Sequence, residues 1–204
     1  MATSTTATKT TQTDLLAIQS LASNSVVISS ALDVSTKLAA MAYCRMGRRA
    51  ATALTTGLII RIEATPDSSG DNHWYPMAQF QSAIAAASDE AVSGTVSAGT
   101  NVITVASTTG LVAGDIIFID NSTIGNSEWG RIKSISANVS VTIEDNLVNA
   151  QTGSTMYDQA EIYPPVLLDL AGVSRIRAVA DGSGTGQAVA VNVELVTLDS
   201  LATA

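Results

Sequence analysis

The most constraining feature of this chain is strict alternation in short apolar runs. In LIIRIEAT (58–65), Ile60, Ile62 and Ala64 share one parity and Arg61 and Glu63 the other. In QAVAVNVELVTLD (187–199), Val189, Val191, Val193 and Leu195 fall on one side. Ala188, Ala190, Asn192 and Glu194 fall on the other. A side-chain period of two belongs to a β-strand with one face in a core. In the stretch 173–178, Val173, Arg175 and Arg177 alternate in the same way with Ser174, Ile176 and Ala178. The runs are split by turn chemistry. TPDSSGDNH (65–73) carries Pro66, Asp67, Gly70, Asp71 and Asn72 and reads as a hairpin loop; DGSGTGQ (181–187) reads as a second hairpin turn.

Texture changes along the chain. Residues 93–162 are Gly-punctuated and strand-like, and NVITVASTTGL and NVSVTIEDNLV look like two hairpin halves. Strands of another texture flank this block. Pro164 and Pro165 follow it, and proline, lacking a ladder donor, marks a boundary or an edge. The expected fold is all-β. A β-sandwich or jelly-roll-like domain, discontinuous over 25–92 and 163–204, is interrupted by a small inserted β domain of five or six strands over 93–162. Residues 82–92, SAIAAASDEAV, are Ala-rich and fit either helix or strand.

The first 24 residues read as an N-terminal arm. Residues 1–12 are Thr, Ser and Ala with Lys9 as the one charge; such a segment cannot bury a face. It is either a frayed terminus or an arm that orders on a partner. Over 13–24, Thr13 or Asp14 as cap and Leu15, Ile18 and Leu21 near helical spacing predict a short helix.

The totals exclude several function classes. With 18 acidic against 10 basic residues the net charge is −8, which disfavours generic binding to a phosphate backbone, so no nucleic-acid partner is expected. Cys44 is the single cysteine, so no intrachain disulfide forms. The N-terminus lacks a signal-peptide pattern, and no run approaches the ~20 apolar residues of a membrane-spanning helix. A soluble chain made in the cytosol, with no membrane partner, is expected.

Chemistry-bearing residues are sparse. His73, beside Trp74, Tyr75 and Pro76, is the only histidine, so a multi-histidine metal site is impossible, and it sits in a polar loop. Trp74 and Phe80 are expected to plug the core with His73 at the rim and Pro76 on an edge strand. The carboxylates are dispersed and form no calcium loop; Asp120 and Asn121 with Glu128 could bind a surface cation, but solvated charge is the default reading. No nucleophile–base pair is present in the pattern. No catalytic residue, cofactor or metal is expected, and the chain reads as a non-enzyme.

Arginine outnumbers lysine, seven to three. The planar guanidinium fork suits interface ion pairs, so Arg45, Arg48, Arg49, Arg61, Arg131, Arg175 and Arg177, with Glu63 and Trp129, are the candidate interface residues. Intramolecular pairs on an outer sheet face are the equal competitor.

Three segments carry a resemblance: LASNSVVISSALDVSTKLAAMAYCRMGRR, then IRIEAT with WYPMAQF, then GLVAGDIIFIDN with SEWGRIKSI. Together they resemble tailed-bacteriophage and prophage virion proteins, over most of residues 15–199. Within that class the chain is most similar to capsid decoration (cement) proteins. The resemblance implies a many-copy structural protein on the capsid surface, synthesised in the host cytoplasm. Its partners would be the major capsid protein and itself, as a homotrimer. Two rivals stand beside it: a neck or tail ring component, and a carbohydrate-binding or host-adhesion module. The last would gain support if Trp74 and Trp129 were both exposed on one face.

Overall fold

In the computed structural model, the residues described are 5–6, 12–70, 73–199 and 202–203, the outermost pairs by their backbone alone. The strands in chain order begin β1 (Thr5–Thr6), β2 (Thr13–Leu21), β3 (Val26–Ile28), β4 (Leu32–Asp33), β5 (Lys37–Arg48), β6 (Ile59–Thr65) and β7 (Tyr75–Gln81). Next come β8 (Asp89–Ala91), β9 (Thr95–Val96), β10 (Val102–Thr104), β11 (Ile116–Asp120), β12 (Glu128–Ser136), β13 (Ser140–Ile143), β14 (Gln151–Thr152) and β15 (Thr155–Tyr157). The chain closes with β16 (Glu161–Ile162), β17 (Val166–Asp169), β18 (Arg175–Asp181), β19 (Val189–Asp199) and β20 (Ala202–Thr203). The only helical piece among the described residues is one 3₁₀ turn, Ile124–Asn126. The fold is all-β and sandwich-like.

Two five-stranded antiparallel sheets enclose the larger core. One runs β16-β5-β19-β2, with β17 further along the same edge of β5; the other runs β3-β18-β6-β7, with β4 also on β18. The alternation read in the sequence decides which side chains meet. Ile60, Ile62, Ile176 and Ala178 from one sheet face Ala42, Cys44, Val191 and Val193 from the other, all buried. Burial pushes the Cys44 thiol well above its ordinary range, so this residue behaves as a small core hydrophobe.

A second core lies within residues 92–156, around Ile103, Ile117, Ile119, Ile132, Val141 and Met156. Its sheet runs β10-β13-β12-β11-β15-β8. The hairpin halves NVITV and NVSVTI pair through β10 and β13. This sheet starts at Asp89, inside the Ala-rich stretch, which is extended there. The chain rejoins the sandwich at Glu161, ahead of the two prolines. Pro164 and Pro165 therefore interrupt an edge, separating β16 from β17 along β5.

β11 explains its own unbroken apolar run, IIFI. Ile117 and Ile119 fill the second core, while Phe118 points the other way and packs on the sandwich with Ala160 and Ala190. A strand covered on both faces has no polar parity. The contact is close enough that a Cβ on Gly47 of β5 would lie 2.4 Å from the Phe118 ring, so only glycine fits there.

Three sequence expectations are corrected. Residues 13–21 are strand β2, not a helix. Pairing with β19 shifts register twice, between Val191 and Val193 and between Val193 and Glu194. Each bulge adds a residue to β2 and breaks its parity. Leu15, Leu16 and Leu21 are all buried as a result, and their irregular spacing imitates a helical face. The arm is corrected with it: β2 is an edge strand of the sandwich, so residues 13–21 belong to the body. Much of the expected arm, residues 1–4 and 7–11, lies outside the described residues. β1 pairs with β20 through Thr5 and Thr203, in the same register as Thr13 with Leu195 of β2 and β19. Finally, DGSGTGQ is no hairpin turn. It carries the chain from β18 in one sheet to β19 in the other, with Thr185 buried and bonded to Gly182 and Gln187 carbonyls.

Candidate interaction surface

The outer face of the β18–β6 sheet carries an ionic ladder. Arg177 and Glu63 are cross-strand partners, with the guanidinium 2.8 Å from the carboxylate. Arg61 reaches Glu63 at 3.5 Å and Asp181 at 3.6 Å. The Asp181 carboxyl is held below its usual range, chiefly by the Ser183 backbone N–H and then by the Ser183 side chain. Arg175 donates to the Asp67 and Gly70 carbonyls of the β6–β7 loop. Trp74 lies beneath these cations, its ring 4.2 Å from the Arg177 guanidinium carbon and 5.5 Å from that of Arg175. The expectation that Trp74 plugs the core is thereby corrected; Phe80 does enter it, while Trp74 serves the opposite face. The reason is parity combined with the bulge between Ile62 and Glu63, where β7 begins. His73 is exposed at the rim, its Nδ1 3.1 Å from Asp67. Pro76 lies on the edge strand.

Two of the other candidate arginines, Arg45 and Arg49, tie the two units together. The Arg49 Nε–H faces both Asp120 oxygens at 3.0 Å, joining the end of β5 to the end of β11. Buried Arg48 donates to the Ala85 and Thr52 carbonyls, anchoring the segment that leads into the second unit; burial depresses its pKa. Arg45 pairs with Glu194 and lies 5.7 Å over the Trp129 ring. Trp129 packs on Phe118 at 4.8 Å between centroids and donates its indole N–H to the Met46 carbonyl at 2.9 Å. The two chain passages between the units are stitched by Ser88 and Asp158: the Ser88 N–H donates to the Asp158 carboxylate, and the Asp158 N–H to the Ser88 carbonyl. Arg131 stays within the second unit, 3.8 Å from Glu144 and bonded to the Gly114 carbonyl. Each candidate arginine thus has an acceptor inside its own chain.

A cleft of about 370 Å³ opens at the junction, with Asp14, Ile18, Arg45, Trp129, Asn192 and Glu194 in its walls. The Trp129 ring there is in contact with both Arg45 and Phe118. Trp74 and Trp129 are both half-buried, so the shared exposed face that would favour the adhesion reading is not observed. Among the described residues, no group of three or more His, Cys, Asp or Glu side chains is placed to hold a metal ion.

Another apolar surface lies on the outer face of the β17-β5-β19 sheet. Half of that face, around Gly47 and Ala190, is covered by the second unit. In the other half Leu167 and Tyr43 are exposed, while Ala39, Met41, Val196 and Leu198 are half-buried. Leu167, Met41 and Val196 form one cross-strand row, and Ala39 with Leu198 the next. Leu167 is 68% exposed and Tyr43 36%, and a groove of about 190 Å³ runs between them. Sequence reasoning looked for charged forks and passed over this face. Its signal was LAAMAYC (38–44), apolar on both parities, which in a strand means that both faces expect cover.

No protein-family model matches the sequence, and no curated protein is significantly similar to it.

Proposed function

We propose that this chain is a structural protein of a tailed-bacteriophage particle, a capsid cement protein that binds the assembled shell across subunit boundaries. The observation that carries this reading is the partly exposed apolar half of the β17-β5-β19 face, with Leu167 and Tyr43 at the surface, on a chain whose candidate arginines are already engaged internally. Such a face is an assembly surface, because a contiguous apolar patch on a sheet of small aliphatic residues gains free energy only when covered. The segment-level resemblance to virion proteins supplies the class of assembly. A cement protein stabilises the expanded shell by binding that state alone, and oligomerisation multiplies weak contacts by avidity. The body suits the role: two β cores locked by Phe118, Trp129 and Arg49 present fixed surfaces to neighbours.

Quantitative mass spectrometry of purified particles, counted against the major capsid protein, tests the proposal. Hundreds of copies are expected. Six or twelve would assign the chain to a neck or tail ring and overturn the cement role. Absence from the particle would overturn the virion reading altogether.

A further inference from the structure

We propose that the cleft at the junction of the two units receives a basic side chain, a lysine or arginine presented by a partner protein. Strands β2 and β19 of the sandwich form one wall and the turn after β13 in the second unit forms the other. The site stands on the chemistry of these walls, whichever assembly the chain enters.

The sandwich wall is short of one cation. Glu194 of β19 and Asp14 of β2 are direct cross-strand partners. Like charges opposed across a ladder repel. Arg45, from β5, pairs with Glu194 and so answers one of the two. Among the described residues the Asp14 carboxylate meets only the Asn192 amide, at 3.4 Å. On the opposite wall Glu128 accepts from the Val148 and Asn149 N–H groups, but Asp145 has no basic partner among the described residues. The cleft thus holds four carboxylates against one guanidinium.

A buried amide completes the set. Asn192 is only 4% exposed, and it lines the cleft. Its Nδ2 is held by the Leu16 carbonyl at 3.1 Å and by Asp14. That fixes the orientation of the amide, and its Oδ1 accepts from no group among the described residues. Buried side-chain acceptors are ordinarily satisfied, so a donor from outside the chain is expected here. Asn192 Oδ1, Asp14 and Asp145 are all acceptors, and they come from three separate segments.

An excess of acceptors selects a group that only donates. Ammonium and guanidinium are the two side-chain groups with several donors and no acceptor. An anion is repelled, and a neutral sugar brings acceptors with its donors and no charge. The remaining lining suits the stem of a basic side chain: Ile18 and Val148 are aliphatic, and the Trp129 ring, which Arg45 already approaches at 5.7 Å, attracts cations. A volume of about 370 Å³ is at the small end for ligand pockets and suits one side chain rather than a folded element. The net charge of −8 draws basic partners to the molecule in the first place.

Titration of the full chain with the blocked peptides acetyl-Gly-Lys-Gly-amide and acetyl-Gly-Arg-Gly-amide, followed by NMR, tests the proposal. The same peptide with norleucine in place of lysine is the uncharged control. Saturable shifts of the Asn192 side-chain amide and the Trp129 indole are expected with the basic peptides and not with norleucine. Raising the salt from about 50 to about 500 mM should weaken binding by screening the charges. Asp14→Asn and Asp145→Asn should each weaken it about fivefold, the worth of one partly exposed ion pair. Asp145 lies in an exposed turn, so its variant reads the cleft if the Asp14 variant fails to fold, which a thermal melt reports. Asp169→Asn, away from the cleft, should leave binding unchanged. No saturation with either basic peptide overturns the proposal, as do equal shifts with norleucine or indifference to both asparagine variants. Saturable binding of maltotriose without any response to the basic peptides would make the cleft a sugar site and overturn it too. A chain that ignores the peptides yet is present in hundreds of copies per particle overturns this proposal and leaves the cement reading standing.

Discussion

Strand β2 should be indispensable to folding, contrary to what a terminal arm would show. Leu16 and Leu21 are 4% and 0% exposed and belong to the sandwich core. Leu21 also packs where a Cβ on Gly182 would lie 2.8 Å from its Cδ2, so the site is tight and collapses poorly when emptied. Buried Leu→Ala changes cost about 2–5 kcal/mol, more where the cavity cannot relax. Leu16→Ala and Leu21→Ala should each lower stability by about 3 kcal/mol. Total stabilities of single domains run about 5–15 kcal/mol, so the double variant should approach the limit of folding. Deleting residues 1–21 removes both leucines, Leu15 and the β19 pairing partners together, and should abolish the cooperative transition. Urea denaturation monitored by tryptophan fluorescence measures this. Leu167→Ala is the control: at an exposed site it should stay within about 0.5 kcal/mol of the parent. A Leu21→Ala change no larger than that control, or a deletion variant with the parent's midpoint, would refute the packing argument.

Other expectations concern the junction and one buried acid. Trp129→Ala should cost about 3 kcal/mol by removing the ring between Phe118 and Arg45, and hydrogen exchange should rise at Met46 and in β11. Trp129→Phe, which loses only the bond to the Met46 carbonyl, should cost about 1 kcal/mol. Burial raises the Asp158 pKa, with nearby Asp115 adding to the effect and Ser88 opposing it. A carboxyl raised on folding favours the folded state below its unfolded pKa of about 3.9, and that benefit is lost as pH rises through the folded value. Asp158→Asn, which keeps an acceptor for the Ser88 N–H, should therefore be at least as stable as the parent at pH 7, with its advantage vanishing near pH 4. Thermal melts at both values check it, and a variant less stable at pH 7 than at pH 4 relative to the parent would refute the sign. Replacing residues 89–158 with a short Gly-Ser bridge should leave a folded sandwich, seen as one cooperative melt at lower temperature. Loss of any transition would show that the two cores do not fold separately.

Local pattern determined much of this protein. Alternation in 58–65, 173–178 and 187–199 assigned strands and their inward parity, because a pleated strand with one buried face leaves no other arrangement for Ile62, Ile176 or Val193. Turn chemistry at 65–73 gave a hairpin for the same local reason. Most candidate arginines were legible as ion-pair formers, since a guanidinium favours a carboxylate, although Arg48 and Arg175 bond to backbone carbonyls instead. Which carboxylate was not legible: Arg49 and Asp120 lie 71 residues apart, and only packing of the second unit on β5 brings them together. β2 misled because its two bulges answer to the register of β19, nearly the whole chain away. DGSGTGQ misled because a Gly-rich turn has the same composition whether it joins neighbours in one sheet or crosses between two. The partly exposed apolar face belongs to the same class. LAAMAYC announces a strand that wants cover on both sides, but tertiary structure alone decided that the second unit covers Gly47 and stops short of Met41 and Tyr43. A sequence records what each residue prefers as a neighbour, and the identity of that neighbour follows only when distant strands have chosen their register.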